Sequence, residues 1–250
     1  MLNAQPITPM MQSAKFVALD IETGNAPLND VAQVIDNWKP PANVKDPEKI
    51  EAKRAEHAAK RQDKAALLDA SPILCIACRT EAGGVIFDAM GATGLEIHQW
   101  QVITSQDEKT MLQAFRTWAD ETITPDTIIA GHNCIGFDLP KIRNAFIRHR
   151  LQLPLFLLPQ LRGDTGCEVV DTTKLAKAFT MQHRDDFLIS LDTLADILKI
   201  ARPKQAMSGA DVPKAHERGE IAPILIYCCI DTETTAQAAQ MMLGIAPNLH

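Results

Sequence analysis

The segment Phe-Val-Ala-Leu-Asp-Ile-Glu-Thr-Gly at residues 16–24 is an apolar run that carries two carboxylates and ends at a glycine. In a β-strand alternate side chains share a face, so Asp20 and Glu22 lie on one face and Leu19 and Ile21 on the other. Neighbouring carboxylates repel each other and resist burial unless solvent or a bound cation compensates their charge. The pair therefore indicates either a solvated strand end or a site for a hard divalent cation.

Length and composition limit the classes of protein to which this chain can belong. It has 250 residues, of which 46% are hydrophobic, and a formal net charge of −6. We expect one domain over residues 1–250, with a helical insertion at about residues 25–71. The negative charge argues against a protein that coats nucleic acid through its overall field, but it allows a local basic surface. Residues 1–11 show no signal-peptide pattern and no segment is long enough to cross a bilayer, so we expect a cytoplasmic protein without membrane contact.

The six cysteines are too few for a disulfide scaffold in a chain of this length. Cys75 and Cys78 form a Cys-x-x-Cys pair, but their apolar surroundings predict a buried strand, in which residues three apart face opposite ways. Cys228 and Cys229 lie in a helical pattern. We interpret all four as buried thiols.

The apolar pattern of the whole chain predicts an α/β fold with a mixed sheet. Strands are expected at residues 16–24, 72–79, 84–90 and 127–131, and the second and third form a hairpin. Helices are expected at residues 48–68, 107–120, 137–150, 172–179, 191–200, 212–217 and 220–243. Helix-start signals occur at Pro47, Asp171, Ser190 and Pro223.

Residues 25–70 do not fit a compact sheet. Prolines at positions 40, 41 and 47 interrupt the segment, and residues 48–68 carry Glu, Lys, Arg and Ala at helical spacing. This pattern is typical of a charged helix inserted between two strands. The helix is either a solvated arm that packs through a thin apolar stripe, or an element for substrate clamping or self-association.

A third acid follows the strand at residues 127–131. The loop His-Asn-Cys-Ile-Gly-Phe-Asp at residues 132–138 places Asp138 where the chain enters a helix, beyond the carboxyl end of that strand. Open α/β sheets bind ligands at such strand ends. Asp138 could also be a helix-start carboxylate that complements the helix dipole, and Asn133 could be a turn former.

A fourth acid lies in the last helix. Tyr227 and Asp231 are four residues apart and therefore share a helical face. Asp231 interrupts an apolar segment, in which a buried carboxylate without a partner is costly. Either a partner lies opposite Asp231, or this residue belongs to an exposed stripe of the helix.

The four acids Asp20, Glu22, Asp138 and Asp231 come from three separate elements. If they cluster, they could hold two divalent cations about 3.5–4 Å apart, an arrangement that stabilises both oxygens of a phosphoryl displacement. Carboxylate ligands favour Mg²⁺ or Mn²⁺, whereas the lack of paired histidines or of a usable cysteine site argues against zinc. The residues alone therefore indicate that metal-assisted hydrolysis is plausible.

The same residues form a pattern that resembles the DEDD superfamily of 3'-5' exonucleases. Asp-Ile-Glu-Thr at residues 20–23 is similar to the first motif, Asn-x-x-x-Phe-Asp at 133–138 to the second, and Tyr-x-x-x-Asp at 227–231 to the third in its tyrosine (DEDDy) version. The resemblance is strongest to the exonuclease domains of family B DNA polymerases and their stand-alone relatives, and it covers residues 15–24 and 72–243. It implies a ribonuclease H-like fold, a mixed central sheet flanked by helices, with the charged helix inserted after the first strand.

By this resemblance each acid has an expected role. Asp20 bridges two cations, Glu22 and Asp231 complete the first metal site, and Asp138 holds the second site largely through water. Tyr227 stays protonated and orients the nucleophile. The expected cofactors are two Mg²⁺ or Mn²⁺ ions, and the expected reaction is hydrolysis of the last phosphodiester bond with release of a nucleoside monophosphate.

Further residues are candidates for contact with the substrate. The resemblance places Thr23 and Asn133 beside the terminal nucleotide. Phe137 is another candidate, although it is better explained as a core residue, and Lys204 is a weaker one. A basic run could follow the backbone of a single strand or could be a solvated face. This run comprises Lys141, Arg143, Arg148 and Arg150.

The leading hypothesis is a stand-alone exonuclease that acts on single-stranded 3' ends of DNA, in a phage or bacterial replication or repair setting. An exoribonuclease that acts on short RNA is the alternative within the class, since no residue pattern here distinguishes a 2'-hydroxyl from its absence. A third hypothesis is a catalytically silent proofreading or scaffold partner of a DNA polymerase or another replication protein. The presence of all four acids and of Tyr227 argues against this third hypothesis.

Overall fold

A six-stranded sheet with helices on both faces forms the centre of the molecule. The computed structural model describes residues 16–67, 69–158, 167–179, 189–202 and 207–245. The strands are β1 (Phe16–Thr23), β2 (Ile73–Thr80), β3 (Gly83–Asp88), β4 (Trp100–Thr104), β5 (Ile128–Gly131) and β6 (Glu168–Asp171). The helices are α1 (Leu28–Asp36), α2 (Pro47–Asp63), α3 (Glu108–Thr122), α4 (Asp138–Arg148), α5 (Thr172–Phe179), α6 (Leu191–Leu198), α7 (Val212–Glu217) and α8 (Ile221–Leu243). Single 3₁₀ turns cover Ala65–Leu67 and Leu155–Leu157.

Strand β1 lies inside the sheet, whose order is β4-β3-β2-β1-β5-β6. It pairs antiparallel with β2 and parallel with β5. Strands β2 and β3 form the predicted antiparallel hairpin, while β4 runs parallel to β3 and β6 runs parallel to β5. Within the described sheet, β2 is therefore the one strand that runs opposite to the others. This mixed sheet, flanked by helices, confirms the predicted α/β fold of the ribonuclease H-like type.

The two faces of β1 pack against different helices, as the alternation of its side chains predicts. Leu19 and Ile21 join the large core that α3 and α4 form on one face. On the other face, Ala18 packs with Ala236 and Ala239 of α8. Asp20 and Glu22 continue this second face toward the end of the strand, so they lie on the side of the sheet that α8 covers.

The predicted helix-start signals coincide with helix starts. Pro47 occupies the first turn of α2, and Asp171, directly before α5, accepts a hydrogen bond from the backbone N–H of Thr173 at 3.0 Å. The hydroxyl of Ser190 accepts the N–H of Thr193 at the start of α6. These local interactions satisfy backbone groups that would otherwise be unpaired, so the boundaries could be read from the sequence. In the part of the chain that the structure describes, no helix combines the length and the hydropathy needed to cross a membrane.

Three elements of the structure were not part of the sequence expectation: α1, β4 and β6. Strand β4 lies at the sheet edge, and its residues are exposed or half-buried, so it lacks an alternating apolar pattern. Pairing with β3 holds it in place, and the ring of Trp100 lies over Gly84, where an added Cβ would come within 2.3 Å of the indole. Strand β6 has only four residues, and α1 has no side-chain cap at its start.

Helices α1 and α2 form the predicted charged insertion between β1 and β2. A small buried cluster of Ala26, Val31 and Ala65 lies between them and the sheet end. The N–H of Ala26 donates to the carbonyl oxygen of Ala65 at 3.3 Å, and the N–H of Gly24 donates to Pro72 at 3.0 Å. The chain therefore leaves the sheet and returns to it at nearly the same point, and the insertion leaves the sheet order intact.

The cysteines of the described residues are all free and buried. Cys75 and Cys78 lie in β2 and belong to clusters on opposite faces of the sheet. Cys228 and Cys229 lie in α8 against β2. The interpretation of all four as buried thiols is confirmed, and one of them is close to the candidate site.

Candidate functional site

The first two acids lie side by side at the end of β1. Asp20 keeps partial access to solvent, whereas Glu22 is 8% exposed. Glu22 pairs with Cys75 of β2, and the register between the two strands shifts directly after it, between Glu22 and Thr23. Such bulges are common beside functional sites because they redirect side chains at the end of a ladder.

Asp138 reaches the same place from the start of α4. The residue is 3% exposed, and its Oδ1 accepts a hydrogen bond from the backbone N–H of Ile21 at 3.2 Å. The loop from β5 to α4 turns closely over the strand at Gly131, where an added Cβ would lie 2.3 Å from the Cβ of Cys134. Asp138 is therefore held between the two acids of β1 by the backbone of the residue that separates them.

Asp231 and Tyr227 come from α8, which packs against β1. The hydroxyl of Tyr227 donates a hydrogen bond to Asp231, consistent with their separation of four residues on one helix. Asp231 is the strongest charged influence on Glu22, and it also acts on Asp20. The structure thus brings together all four acids that the sequence singled out, with Tyr227 beside them.

Crowding of these carboxylates raises their pKa values. The pKa of Asp20 is raised well above its ordinary value by burial first, and then by repulsion from Asp138, Glu22 and Asp231. The pKa of Glu22 is likewise raised well above its ordinary value, by burial first and then by repulsion from Asp231 and Asp138. Burial raises the pKa of Asp138 to about 7, even though hydrogen bonds from backbone N–H groups favour its charged form.

The donor set fits a divalent cation. Every charged group that acts appreciably on Asp20 or Glu22 is another anion, so protons or a cation must compensate the cluster. Carboxylate oxygens are the ligands that Mg²⁺ and Mn²⁺ prefer. The ligand atoms of Asp20, Glu22 and Cys228 all lie within 4.8 Å of one another, which is close enough for one ion to touch both carboxylates.

Cys228 is a member of this cluster that the sequence did not identify. Its Sγ lies 3.6 Å from Oδ2 of Asp20 and 3.8 Å from the carbonyl oxygen of the same residue. Burial raises the pKa of the Cys228 thiol well above its ordinary value, so the group is a neutral donor to Asp20. The available signal was its position three residues before Asp231, which places both side chains on one side of α8.

The three candidate substrate contacts near the site have structural roles of their own. The hydroxyl of Thr23 is buried and donates to the carbonyl oxygen of Ala66 at 2.9 Å. Asn133 has a positive φ of 61° and accepts the N–H groups of Gly136 and Phe137, so it does form the turn. Phe137 packs against the core as expected, and it is only partly buried. Direct contact of these residues with a substrate remains a prediction.

The basic run at residues 141–150 is not one exposed face, and this part of the expectation is wrong. Helical periodicity turns Lys141 toward the core side of α4, where it is 5% exposed and donates to Ser71. Arg148 binds both carboxylate oxygens of Glu108, at 2.7 and 2.8 Å. Arg143 and Arg150 are exposed. Lys204 lies outside the described residues.

Hydrogen bonds of Asp171 and His132 hold the loop that carries Asp138, and the sequence predicted only the helix-capping role of Asp171. Asp171, expected as a helix cap, also accepts the backbone N–H groups of Asn133 and Ile135 at 3.0 and 3.2 Å. His132 links Thr172 and the carbonyl oxygen of Ile189 through its two ring nitrogens. Spacing along the chain does not show which loop a capping carboxylate will reach, so these contacts required the structure.

Comparison with solved structures finds a similar fold in the family B DNA polymerase from the hyperthermophilic archaeon Pyrobaculum calidifontis. The TM-score is 0.56 with 17% sequence identity, and the match covers 92% of this chain. It covers 24% of the polymerase, so this chain spans about a quarter of that protein. At this identity the similarity shows the fold alone. No family model matches the sequence, and no curated protein matches it.

Proposed function

We propose that this protein is a metal-dependent 3'-5' exonuclease that hydrolyses phosphodiester bonds from the 3' end of single-stranded DNA and releases nucleoside monophosphates. The observation that carries this proposal is that Asp20, Glu22, Asp138 and Asp231 lie close enough together at the end of β1 for the other three to act electrostatically on Asp20. In the proposal the sheet and its helices form one exonuclease domain, into which α1 and α2 are inserted.

The four carboxylates would hold two Mg²⁺ or Mn²⁺ ions. Asp20 is the central ligand in this arrangement, because the other three acids all act on its carboxylate. Asp231 is the first of the charged groups that act on Glu22, so these two acids would share one ion with Asp20, and Asp138 would serve the second. Divalent cations held there would stabilise the charge that develops in phosphodiester hydrolysis and would activate water for the attack.

Tyr227 would orient the nucleophile through its hydroxyl oxygen, which can accept a hydrogen bond from water while its proton is donated to Asp231. Burial and the nearby carboxylates raise the pKa of its phenol above the ordinary value, so the hydroxyl keeps its proton at neutral pH. The hydrogen bond to Asp231 fixes the ring relative to the acids. Tyr227 is therefore suited to positioning a water molecule, whose O–H its oxygen accepts, rather than to acting as a general base.

The similarity to a family B DNA polymerase adds general support, because that fold belongs to a protein that handles nucleic acid. The acidic cluster itself could not attract a polyanion, so bound cations would also have to offset the repulsion between the site and the phosphate backbone. A DNA polymerase or another replication protein is a proposed partner in the same setting.

The direct test uses purified protein, 5'-labelled single-stranded DNA and Mg²⁺ or Mn²⁺. We expect a ladder of products that shorten from the 3' end, with nucleoside monophosphates released, and no reaction in EDTA. Asp20→Ala should abolish the reaction and leave the fold near wild type, because it removes repulsion among the acids. Appreciable activity of this variant would overturn the assignment.

A matched RNA oligonucleotide separates the two substrates within the class. If RNA is shortened faster than DNA, the protein is an exoribonuclease rather than the proposed DNA exonuclease. If neither oligonucleotide is shortened with Mn²⁺ at high enzyme excess, the protein is a silent binding or scaffold module. A crystal soaked with Mn²⁺ and a nucleoside monophosphate would then show whether the acids bind any ion.

A further inference from the structure

Helix α2 is a long element with little contact to the rest of the protein. It has 17 residues, and among those whose side chains are described only Ile50, His57 and Ala58 are not fully exposed. The ring of His57 packs near Trp38 with a centroid distance of 6.0 Å. A helix that is polar almost all round gains little from burial, so its surface is available for another function.

Four lysines of α2 and its C-cap lie along one side of the helix. Lys49, Lys53, Lys60 and the capping residue Lys64 follow one another at intervals of four, seven and four residues, and all are exposed. At about 100° per residue these four side chains share one face, whereas Glu48 and Glu51 lie on a different face. Glu56 lies beside the lysine row, at a height along the helix between Lys53 and Lys60. We call the four lysines the α2 lysine row.

The end of the lysine row is fastened beside the candidate site. Directly after Lys64 the chain enters the 3₁₀ turn, and the carbonyl oxygen of Ala66 accepts the hydroxyl of Thr23 at 2.9 Å. Thr23 follows Glu22 in the sequence. The C-terminal end of α2 is therefore held, through Ala66 and Thr23, beside the proposed metal ligand Glu22.

Further contacts join Asp69, which follows this turn in the sequence, to α4. The side chain of Asn144 donates to Asp69 at 3.2 Å, and Arg148 donates to the carbonyl oxygen of Asp69 at 2.7 Å. Arg143, adjacent to Asn144, is exposed. Exposed cations are thus present in α4 as well as in α2, whereas the whole chain has a net charge of −6.

We propose that the α2 lysine row binds the phosphate backbone of the single strand whose 3' end occupies the site. This inference rests on the proposed function and assigns the insertion to substrate binding. From Lys49 to Lys64 the row extends over about 22 Å, so it would contact phosphates several nucleotides upstream of the reacting bond. The charged helix supplies the local basic surface that an acidic protein needs to hold a polyanion.

The test compares two triple variants of equal charge. Lys49→Ala, Lys53→Ala and Lys60→Ala remove most of the row and leave the helix cap unchanged. Lys109→Ala, Lys174→Ala and Lys177→Ala remove the same charge from α3 and α5. Alanine favours helix at each exposed position of α2, so the first variant should fold, which circular dichroism can verify.

Binding is measured first without hydrolysis. Fluorescence anisotropy with a labelled single-stranded DNA 20-mer in EDTA gives the affinity over a range of salt concentrations. The row variant should bind at least about tenfold more weakly at low salt, and the slope of log affinity against log salt should be less steep by about 2, since each lost contact with a single strand contributes about 0.7. The control variant should bind like wild type.

Hydrolysis then tests the placement of the strand. For the row variant, the loss of kcat/KM on the 20-mer should exceed the loss on a dinucleotide about tenfold, because a dinucleotide is too short to reach the row. Glu56→Gln should strengthen binding of the 20-mer. Equal affinities for the row and control variants would overturn the inference, as would equal losses on long and short substrates. If wild type binds DNA through the row but hydrolyses nothing, the proposed function fails and the binding surface stands.

Discussion

Oδ1 of Asp138 accepts the backbone N–H of Ile21 at 3.2 Å, across 117 residues of sequence. Ile21 lies between Asp20 and Glu22, so this hydrogen bond joins α4 to the middle of the acidic segment of β1. Three of the four acids are therefore positioned before any cation binds. Asp231 comes to the cluster from α8, which packs against β1.

The first prediction concerns Asp138→Asn. An asparagine oxygen can still accept the Ile21 N–H while the charge is removed, so we expect greater stability than wild type in EDTA at pH 8. Hydrolysis should fall at least about 100-fold, because the neutral amide lacks the negative charge with which Asp138 would help to hold the second cation. Chemical denaturation and the labelled-strand assay measure the two effects.

Asp138→Ala is the matched control for that prediction. It removes both the charge and the hydrogen-bond acceptor, leaving the buried N–H of Ile21 unpaired at a cost of about 1–3 kcal/mol. We expect it to be less stable than Asp138→Asn. The hydrogen bond would be irrelevant to the fold if the two variants unfolded at the same denaturant concentration.

A second prediction concerns the pH dependence of stability in EDTA. The pKa of Asp138 is about 7 in the folded protein, above its ordinary value, so the folded state binds more protons than the unfolded state between these values. The free energy of unfolding should therefore fall as pH rises through this window, by about 2 kcal/mol between pH 5.5 and 7 from this residue alone.

The difference between wild type and Asp138→Asn isolates that contribution, since His132 and other groups titrate in both proteins. Thermal unfolding at several pH values measures it. Adding Mg²⁺ or Mn²⁺ should remove most of the fall, because the cation replaces the protons that the cluster otherwise needs. A fall of equal size in the asparagine variant would contradict the assignment to Asp138.

A third prediction concerns Tyr227→Phe. The change removes the hydroxyl that contacts Asp231 and keeps the ring, so stability should change little. We expect kcat to fall about 10- to 100-fold with KM within about threefold of wild type, because orientation of the nucleophile matters in the transition state rather than in binding. Single-turnover hydrolysis with saturating enzyme measures the chemical step. An increase in KM with unchanged kcat would assign Tyr227 to substrate binding instead.

A fourth prediction concerns the close approach at Gly131. A Cβ there would lie 2.3 Å from the Cβ of Cys134 and 3.3 Å from the carbonyl oxygen of Leu19, so Gly131→Ala must displace the loop that carries Asp138. We expect a loss of about 1–3 kcal/mol in unfolding free energy, accompanied by a loss of activity. Gly209→Ala is the control, since its Cβ would lie at an ordinary 3.8 Å from the hydroxyl of Tyr227. Equal stability of the two variants would show that the loop adapts without strain.

The sequence predicted the features that depend on local patterns. The period of β1 places Asp20 and Glu22 on the face opposite Leu19 and Ile21, and a helical spacing of four residues places Tyr227 beside Asp231. Helices with capping residues or an early proline begin where these signals occur. Such features are decided by neighbours in the chain and so can be read from it.

The features that were missed depend on partners far away in the sequence. Strand β4 forms because it pairs with the edge of β3, and its own residues show no alternation of apolar and polar side chains that would predict a strand. Lys141 is buried because α4 packs it against Ser71, 70 residues away, which its position beside Arg143 in the sequence does not show. Cys228 was correctly interpreted as buried, but only the packing of α8 on β1 brings its sulfur to Asp20.

The packing of α8 on β1 through Ala18, Ala236 and Ala239 has a consequence for the ion that the site would accept. Asp231 belongs to this helix. Its distance from Asp20 and Glu22 of β1 therefore depends on the size of Ala236 and Ala239, which lie one to two helical turns after it. A larger side chain at Ala236 or Ala239 would widen the site without altering a single ligand. Substitutions in the hydrophobic core, away from the ligands, would thus change whether the site prefers a smaller or a larger cation.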